Sequence, residues 1–229
     1  MTAFPGAAER RRLLDLLARP PAEAARLLLG TVIVRRQGGD LRVARIVETE
    51  AYLGQDDPSA HAFRGRTART APLWGRPGTL YVYFIYGMHH CLNFAVEREG
   101  TAGCVLLRAA EPLAGLAPGA ATGPGRLCRA LAIDTALSGR HLFDADRALY
   151  LREGRPARRI GVTTRVGIRQ AADWPLRFFD ADSAAVSVHR SSSFREGRCA
   201  APLPQDPPRR LAEVNPARRP VRGHWCEPQ

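Results

Sequence analysis

Thr31-Val-Ile-Val-Arg-Arg-Gln-Gly-Gly-Asp-Leu-Arg-Val-Ala-Arg-Ile-Val-Glu-Thr-Glu-Ala-Tyr52 decides the fold of this chain. A β-branched run from Thr31 to Arg35 meets a turn at Gly38-Gly39-Asp40. A second extended run, Leu41 to Tyr52, follows, and the three together read as a hairpin. With side chains alternating along a strand, Ile46, Glu48, Glu50 and Tyr52 are expected on one face, the two carboxylates about 6.5–7 Å apart. Two acids that close repel unless paired. Glu48 is expected in a salt bridge to an arginine, whereas Glu50, just before a loop opened by Gly54, is placed to do chemistry.

Working outward, residues 54–78 read as loop and carry Arg64, Arg66, Arg69 and Arg76, a spacing suited to phosphate contacts. Leu80 to Ile85 and Leu92 to Val96 read as strands around Tyr86-Gly87-Met88, and Cys104 to Ala109 as another. Residues 113–122, rich in Ala, Gly and Pro, read as a surface connection, after which Gly123-Pro-Gly-Arg126 opens a helix over Leu127–Ile133, a site for phosphate at its N-terminus. Leu149 to Leu151, Ile160 to Thr164 and Ala184 to Val188 read as short strands. Upstream, Ala7–Ala18 and Pro21–Leu29 read as helices, the second ended by Gly30. The pattern predicts an α+β fold with three parts: a helical segment over 1–19, one domain over 20–190, and an Arg/Pro-rich stretch over 191–229 whose few large apolar residues predict disorder.

The 229 residues suffice for one domain with a substantial core, and the net charge of +12 selects for polyanions, nucleic acid ahead of anionic membrane. All 34 basic residues are arginine. Without lysine, Schiff-base catalysis is left only the Met1 amine, while the arginine fork suits phosphate oxygens. Five cysteines with no C-x-x-C pair argue against a zinc ribbon and against a disulfide framework, and fit a reducing cytoplasm. No run approaches the about 20 apolar residues of a membrane span.

Tyr81 and Tyr83 share a strand parity that Tyr86 does not. Tyr81 reads as packing, Tyr83 as a stacking surface, and Tyr86 as an exposed tip able to fill the gap left by an unstacked base. Asn93 can read a base edge or satisfy backbone; His61 alone is a weak signal, and His89-His90 weaker. Arg108, after the apolar run Cys104-Val-Leu-Leu107, needs a buried partner such as Glu50 or a phosphate. Glu48 and Glu50 also have the rough spacing of a glycosidase pair, but neutral glycans give no reason for this charge.

Several motifs then occur in order: Ala25-Arg-Leu-Leu-Leu-Gly30, Arg45-Ile-Val-Glu-Thr-Glu-Ala-Tyr-Leu-Gly54, His61 with Arg64-Gly-Arg-Thr67, Pro77-Gly78, Tyr81-Val-Tyr83 through Met88, Cys91-Leu-Asn93, Val105-Leu-Leu-Arg-Ala109 with Glu111-Pro112, and Gly123-Pro-Gly-Arg-Leu127. From about residue 20 to 180 the chain closely resembles the alkyladenine (3-methyladenine, N-methylpurine) DNA glycosylases. The resemblance implies a single mixed domain around a curved antiparallel β-sheet with flanking helices, similar to the C-terminal domain of formyltransferases. It implies Glu50 as the base that activates water and Arg108 as a residue that helps hold that water, with Tyr52, His61, Tyr83 and Asn93 around the flipped purine. Tyr86 would enter the minor groove, and Arg66 and Arg126 would contact the DNA backbone. It also implies no cofactor or metal, a monomer, and duplex DNA with alkylated purines as partner, in the nucleoid if the cell is bacterial. A non-catalytic protein that flips and shields lesions is the alternative. Thr70, Leu73-Trp74 and Arg126 depart from the usual Asn, Met-Phe and Lys, which bears on lesion preference.

Overall fold

The computed structural model describes residues 3–187 and 195–197. Two helices open the chain, α1 (Ala7–Leu17) and α2 (Pro21–Leu27), and a third, α3 (Pro124–Ala130), follows the fifth strand. The strands are β1 (Val32–Gln37), β2 (Asp40–Tyr52), β3 (Leu80–Ile85), β4 (His89–Ala95), β5 (Cys104–Ala114), β6 (Leu149–Arg152), β7 (Ile160–Thr163), β8 (Arg177–Asp180) and β9 (Arg195–Gly197). They form one curled antiparallel sheet in the order β3-β4-β5-β2-β8-β7-β9, with β1 pairing with both β2 and β6. The fold is a single mixed α+β domain.

β2 is the spine. Its first half pairs with β1 from Gln37↔Asp40 to Val32↔Arg45, and its second half pairs with β8 from Glu48↔Phe179 to Glu50↔Arg177. Its other edge runs the length of β5. The expected hairpin forms, and Gly38 and Gly39 both sit at positive φ, 56° and 94°, where side chains strain the backbone. Arg45 locks three strands by pairing with Glu111 on β5 and Asp180 on β8, each at 2.8 Å.

One expectation about β2 is corrected. Ile46 does not share the face of Glu48, because the ladder shifts register between Ile46↔Ala110 and Glu48↔Ala109, leaving Val47 as an extra residue. Such a bulge reverses parity. Ile46 and Ala51 therefore both enter the main core against the helices, while Glu48, Glu50 and Tyr52 turn to the opposite side. A second shift between Glu48↔Ala109 and Thr49↔Leu107 makes Arg108 the extra residue on β5.

A further correction concerns Ala184 to Val188. Residues 184–187 form turns and no strand, and Val188 lies outside the described residues. Asp180 and Ser183 side chains accept from the backbone N–H groups of Asp182 and Ala185, a local alternative to a sheet ladder. The nearby strand is β8 instead. The helix expected over Leu127–Ile133 starts earlier, with Pro124 in its first turn, and ends at Ala130. Of the stretch expected to be disordered, only residues 195–197 are described, and they pair with β7.

Main-core side chains from α1, α2 and α3, including Leu13, Leu17, Ala25 and Leu127, pack with Ile33, Ile46, Phe94 and Leu107 of the sheet. A smaller cluster of Ala62, Leu73, Tyr81, Ala102 and Cys104 lies on the other side, and Tyr52, Trp74 and Tyr83 pack on it. That satellite cluster is the bed of the site.

Candidate active site

A cavity of about 440 Å³ opens on this side of the sheet. Glu50 and Arg108 line it with Tyr52, His61, Tyr83, Asn93 and Tyr86, so seven residues singled out in the sequence meet in one place. Arg66 and Arg126 do not line it; both are exposed, Arg126 next to the lining residues Pro124 and Gly125.

Glu50 is fully buried, yet each oxygen is held. Oε1 accepts from the Val166 backbone N–H at 2.8 Å and faces the Arg108 guanidinium at 3.2 Å; Oε2 accepts from the Tyr52 hydroxyl at 3.0 Å. Burial raises its pKa above the ordinary carboxylate range, and the pull of Arg108 and the two hydrogen bonds only partly offsets this. A carboxylate tuned upward is suited to accept a proton.

Glu48 is paired as expected. Its Oε1 accepts from Arg108 Nε at 2.8 Å, Arg177 Nε at 2.7 Å and Ser187 Oγ at 2.8 Å, and its Oε2 from the Ser187 N–H at 2.7 Å. Although burial opposes ionisation, the two arginines and Ser187 hold its pKa low. The bulge on β5 is what lets Arg108 reach both carboxylates.

The aromatic walls are fixed from behind. Arg165 lies 4.6 Å over the Tyr52 ring and pairs, fully buried, through two nitrogens with Asp57. Tyr83 shares a hydrogen bond with the Cys91 thiol, and its ring meets the edge of His61 at 4.6 Å. Burial raises the pKa of Tyr52 and of Tyr83, so both hydroxyls stay protonated. Arg69, though exposed, donates to the Tyr81 hydroxyl at 3.1 Å, whose own proton is then free for His61 Nδ1 at 3.0 Å. Burial lowers the His61 pKa, and a neutral ring accepting at Nδ1 carries its proton on Nε2. Asn93 Nδ2 donates to the Tyr81 carbonyl and its Oδ1 accepts from the Cys104 thiol, which fixes the amide orientation.

Four participants escaped the sequence reading: Asp57, Arg165, Arg177 and Ser187. The Arg165 and Arg177 flanks, Thr164-Arg-Val166 and Leu176-Arg-Phe178, hint at buried charge, but nothing local names the partners.

Tyr86 stands at the tip of the β3–β4 hairpin, 79% exposed, with Phe84 and Met88 also exposed. Its φ of 55° and that of Gly87, 65°, with the Met88 N–H on the Ile85 carbonyl, make a tight turn that presents the ring outward. Replacing Tyr86 with Ala should leave the melting temperature nearly unchanged, which thermal denaturation reads.

Folding gives no reason to hold so large an aromatic ring in water beside a buried, arginine-held acid. On a surface this basic, the class of protein the combination points to is the DNA glycosylase. The comparison with known proteins gives the family. Residues 15–184 match the methylpurine-DNA glycosylase (MPG) family, and the chain belongs to it. It is 46% identical over 176 residues to a protein of Myxococcus xanthus, covering 74% of this chain and 90% of that one. It is 42% identical over 188 residues to one of Methanocella arvoryzae, covering 76% and 94%. A protein of Anaeromyxobacter dehalogenans is 47% identical over 176 residues, covering 74% and 83%. All three carry the name "Putative 3-methyladenine DNA glycosylase".

Proposed function

We propose that this chain hydrolyses the N-glycosidic bond of alkylated purines, 3-methyladenine and its relatives, turned out of duplex DNA, and leaves an abasic site. The observation that carries the reading is Glu50: buried, raised in pKa, and held beside Arg108 at the floor of an aromatic cavity. A positively charged methylated purine is already a good leaving group, so the protein supplies a base for water and negative charge beside an oxocarbenium-like sugar. Glu50 does both, and Arg108 orients it.

Tyr52, His61 and Tyr83 sandwich the purine. Arg165 already covers the Tyr52 ring, and the fixed Asn93 amide crowds the exocyclic amine of undamaged guanine. Tyr86 fills the gap in the stack, and extrusion costs least for a damaged, poorly paired base. Arg66 and Arg126, both exposed, contact the phosphates. Water is the nucleophile, since the chain has no lysine to form an imine with the sugar.

The test is incubation with N-methylated duplex DNA, quantifying free purine and alkali-labile sites, with borohydride present in a parallel reaction. Free methylpurine and abasic sites without a trapped protein–DNA adduct are expected. Tight lesion binding without released purine would make the protein a lesion shield, and efficient trapping would implicate the Met1 amine in an imine.

A further inference from the structure

Four charges are buried together, of which Glu50 and Arg108 line the cavity and the other two do not: Glu48 and Glu50 from β2, Arg108 from β5 and Arg177 from β8. Arg177 has no atom on Glu50 among its hydrogen bonds; it binds Glu48 at 2.7 Å, the Thr163 hydroxyl at 3.1 Å and the Ser187 carbonyl at 3.2 Å. Glu48 in turn holds Arg108, and Arg108 is the cation that faces Glu50. The two acids and two bases sum to zero. Removing one member of a buried set leaves an uncompensated charge, and that charge acts on the remaining titratable acid.

We propose that Arg177 and Glu48 form an off-site charge clamp that sets the protonation and orientation of Glu50 through Arg108, Arg177 being a positioning residue that touches no substrate. The inference rests on the reading of Glu50 as the base. With Arg177 present, Glu48 is satisfied by its own cation and Arg108 is shared between the two carboxylates rather than drawn wholly onto Glu48. Without Arg177, the set carries a net negative charge and Glu50 takes up a proton at higher pH. Without the Glu48 charge, the set is net positive and Glu50 stays ionised to lower pH.

The other groups around Glu50 do not mimic this pattern. Tyr52 on β2, Tyr83 on β3 and Cys91 on β4 are kept neutral by burial, and Arg165 and Asp57 cancel as a pair behind Tyr52. His61 and His89 line the cavity in every variant alike, so differences between variants isolate the clamp.

The experiment is single-turnover release of methylpurine from N-methylated duplex DNA as a function of pH, for wild type, Arg177→Met, Arg177→Lys, Glu48→Gln, the Glu48→Gln/Arg177→Met double variant and Glu50→Gln. The acidic limb should move up by about one pH unit in Arg177→Met and down by about as much in Glu48→Gln, the low end of what a neighbouring charge does. It should return towards wild type in the double variant and in Arg177→Lys, which keeps the charge. Limbs that do not move, that move the same way in both single variants, or that are not restored in the double variant overturn the clamp. Should Arg177→Met fail to fold, the double variant against Glu48→Gln still reads the sign, an upward move being required. Undiminished activity of Glu50→Gln would instead sink the general-base reading itself, a separate outcome.

Discussion

Glu50→Gln is expected to lower the single-turnover excision rate by at least about 10², as loss of a general base does, while affinity for a lesion-bearing duplex is kept or rises. The amide retains the size of the side chain and can still accept from the Val166 N–H, but it takes no proton from water and puts no negative charge beside the sugar. Binding should survive because removing an acid near DNA phosphates removes repulsion. The sign of the pH dependence follows from the raised Glu50 pKa: the active form is ionised, so the wild-type rate falls with acidification, and does so above the pH at which an ordinary glutamate protonates. Turnover of the Glu50→Gln variant at the wild-type rate would mean the base lies elsewhere, with Glu48 the next candidate. Against that candidate stands its saturation, since both Glu48 oxygens are occupied by arginine and Ser187 donors.

Asp57→Ala should be among the most destabilising single changes outside the hydrophobic core, at about 3–5 kcal/mol, the cost of leaving a buried charge without its partner. Arg165 and Asp57 are both fully buried and joined by two contacts, and Asp57 also accepts from the Leu53 and Ser59 N–H groups. For a domain of this size that corresponds to a fall of roughly 6–20 °C in Tm. Urea denaturation at constant slope measures it directly. A change below about 1 kcal/mol would show that Arg165 finds another partner or water. Activity measured at low temperature should also suffer, because Arg165 backs the Tyr52 ring whose hydroxyl holds Glu50.

What the sequence made legible was what its neighbours determine. The hairpin through Gly38-Gly39 could be read because alternation and turn chemistry lie within a few residues, and the exposed tip at Tyr86 because a change of parity meets a glycine. The pairing of Glu48 with arginine followed from an excess of arginine and the cost of burying an acid. The identity of that arginine did not. Arg108 and Arg177 lie 60 and 129 residues from Glu48, and no local pattern selects them from 34 arginines; Ser187, 139 residues away, is no more visible locally. The bulges that turn Ile46 away from Glu48 and aim Arg108 between the acids are likewise products of two strands meeting. Strand β8 was missed because charged Arg177 and Asp180 close both ends of its four residues and leave only Phe178-Phe179 as an apolar signal, less than the equally short β6 and β7 offer.

The contact between Ser187 and Glu48 joins residues 139 positions apart in the chain, and this bears on how the protein is made. A chain emerging from the ribosome exposes Glu48 and Glu50 early, but Val166, Arg177 and Ser187 arrive more than a hundred residues later. Until then the acids can be neither desolvated nor aimed, because their burial without those donors is too costly. This buried cluster thus closes only after Ser187 has been added to the chain. A fragment truncated by premature termination just before residue 187 would keep most of its arginines, and with them attraction to DNA, but would lack the Ser187 donors that hold Glu48 in place.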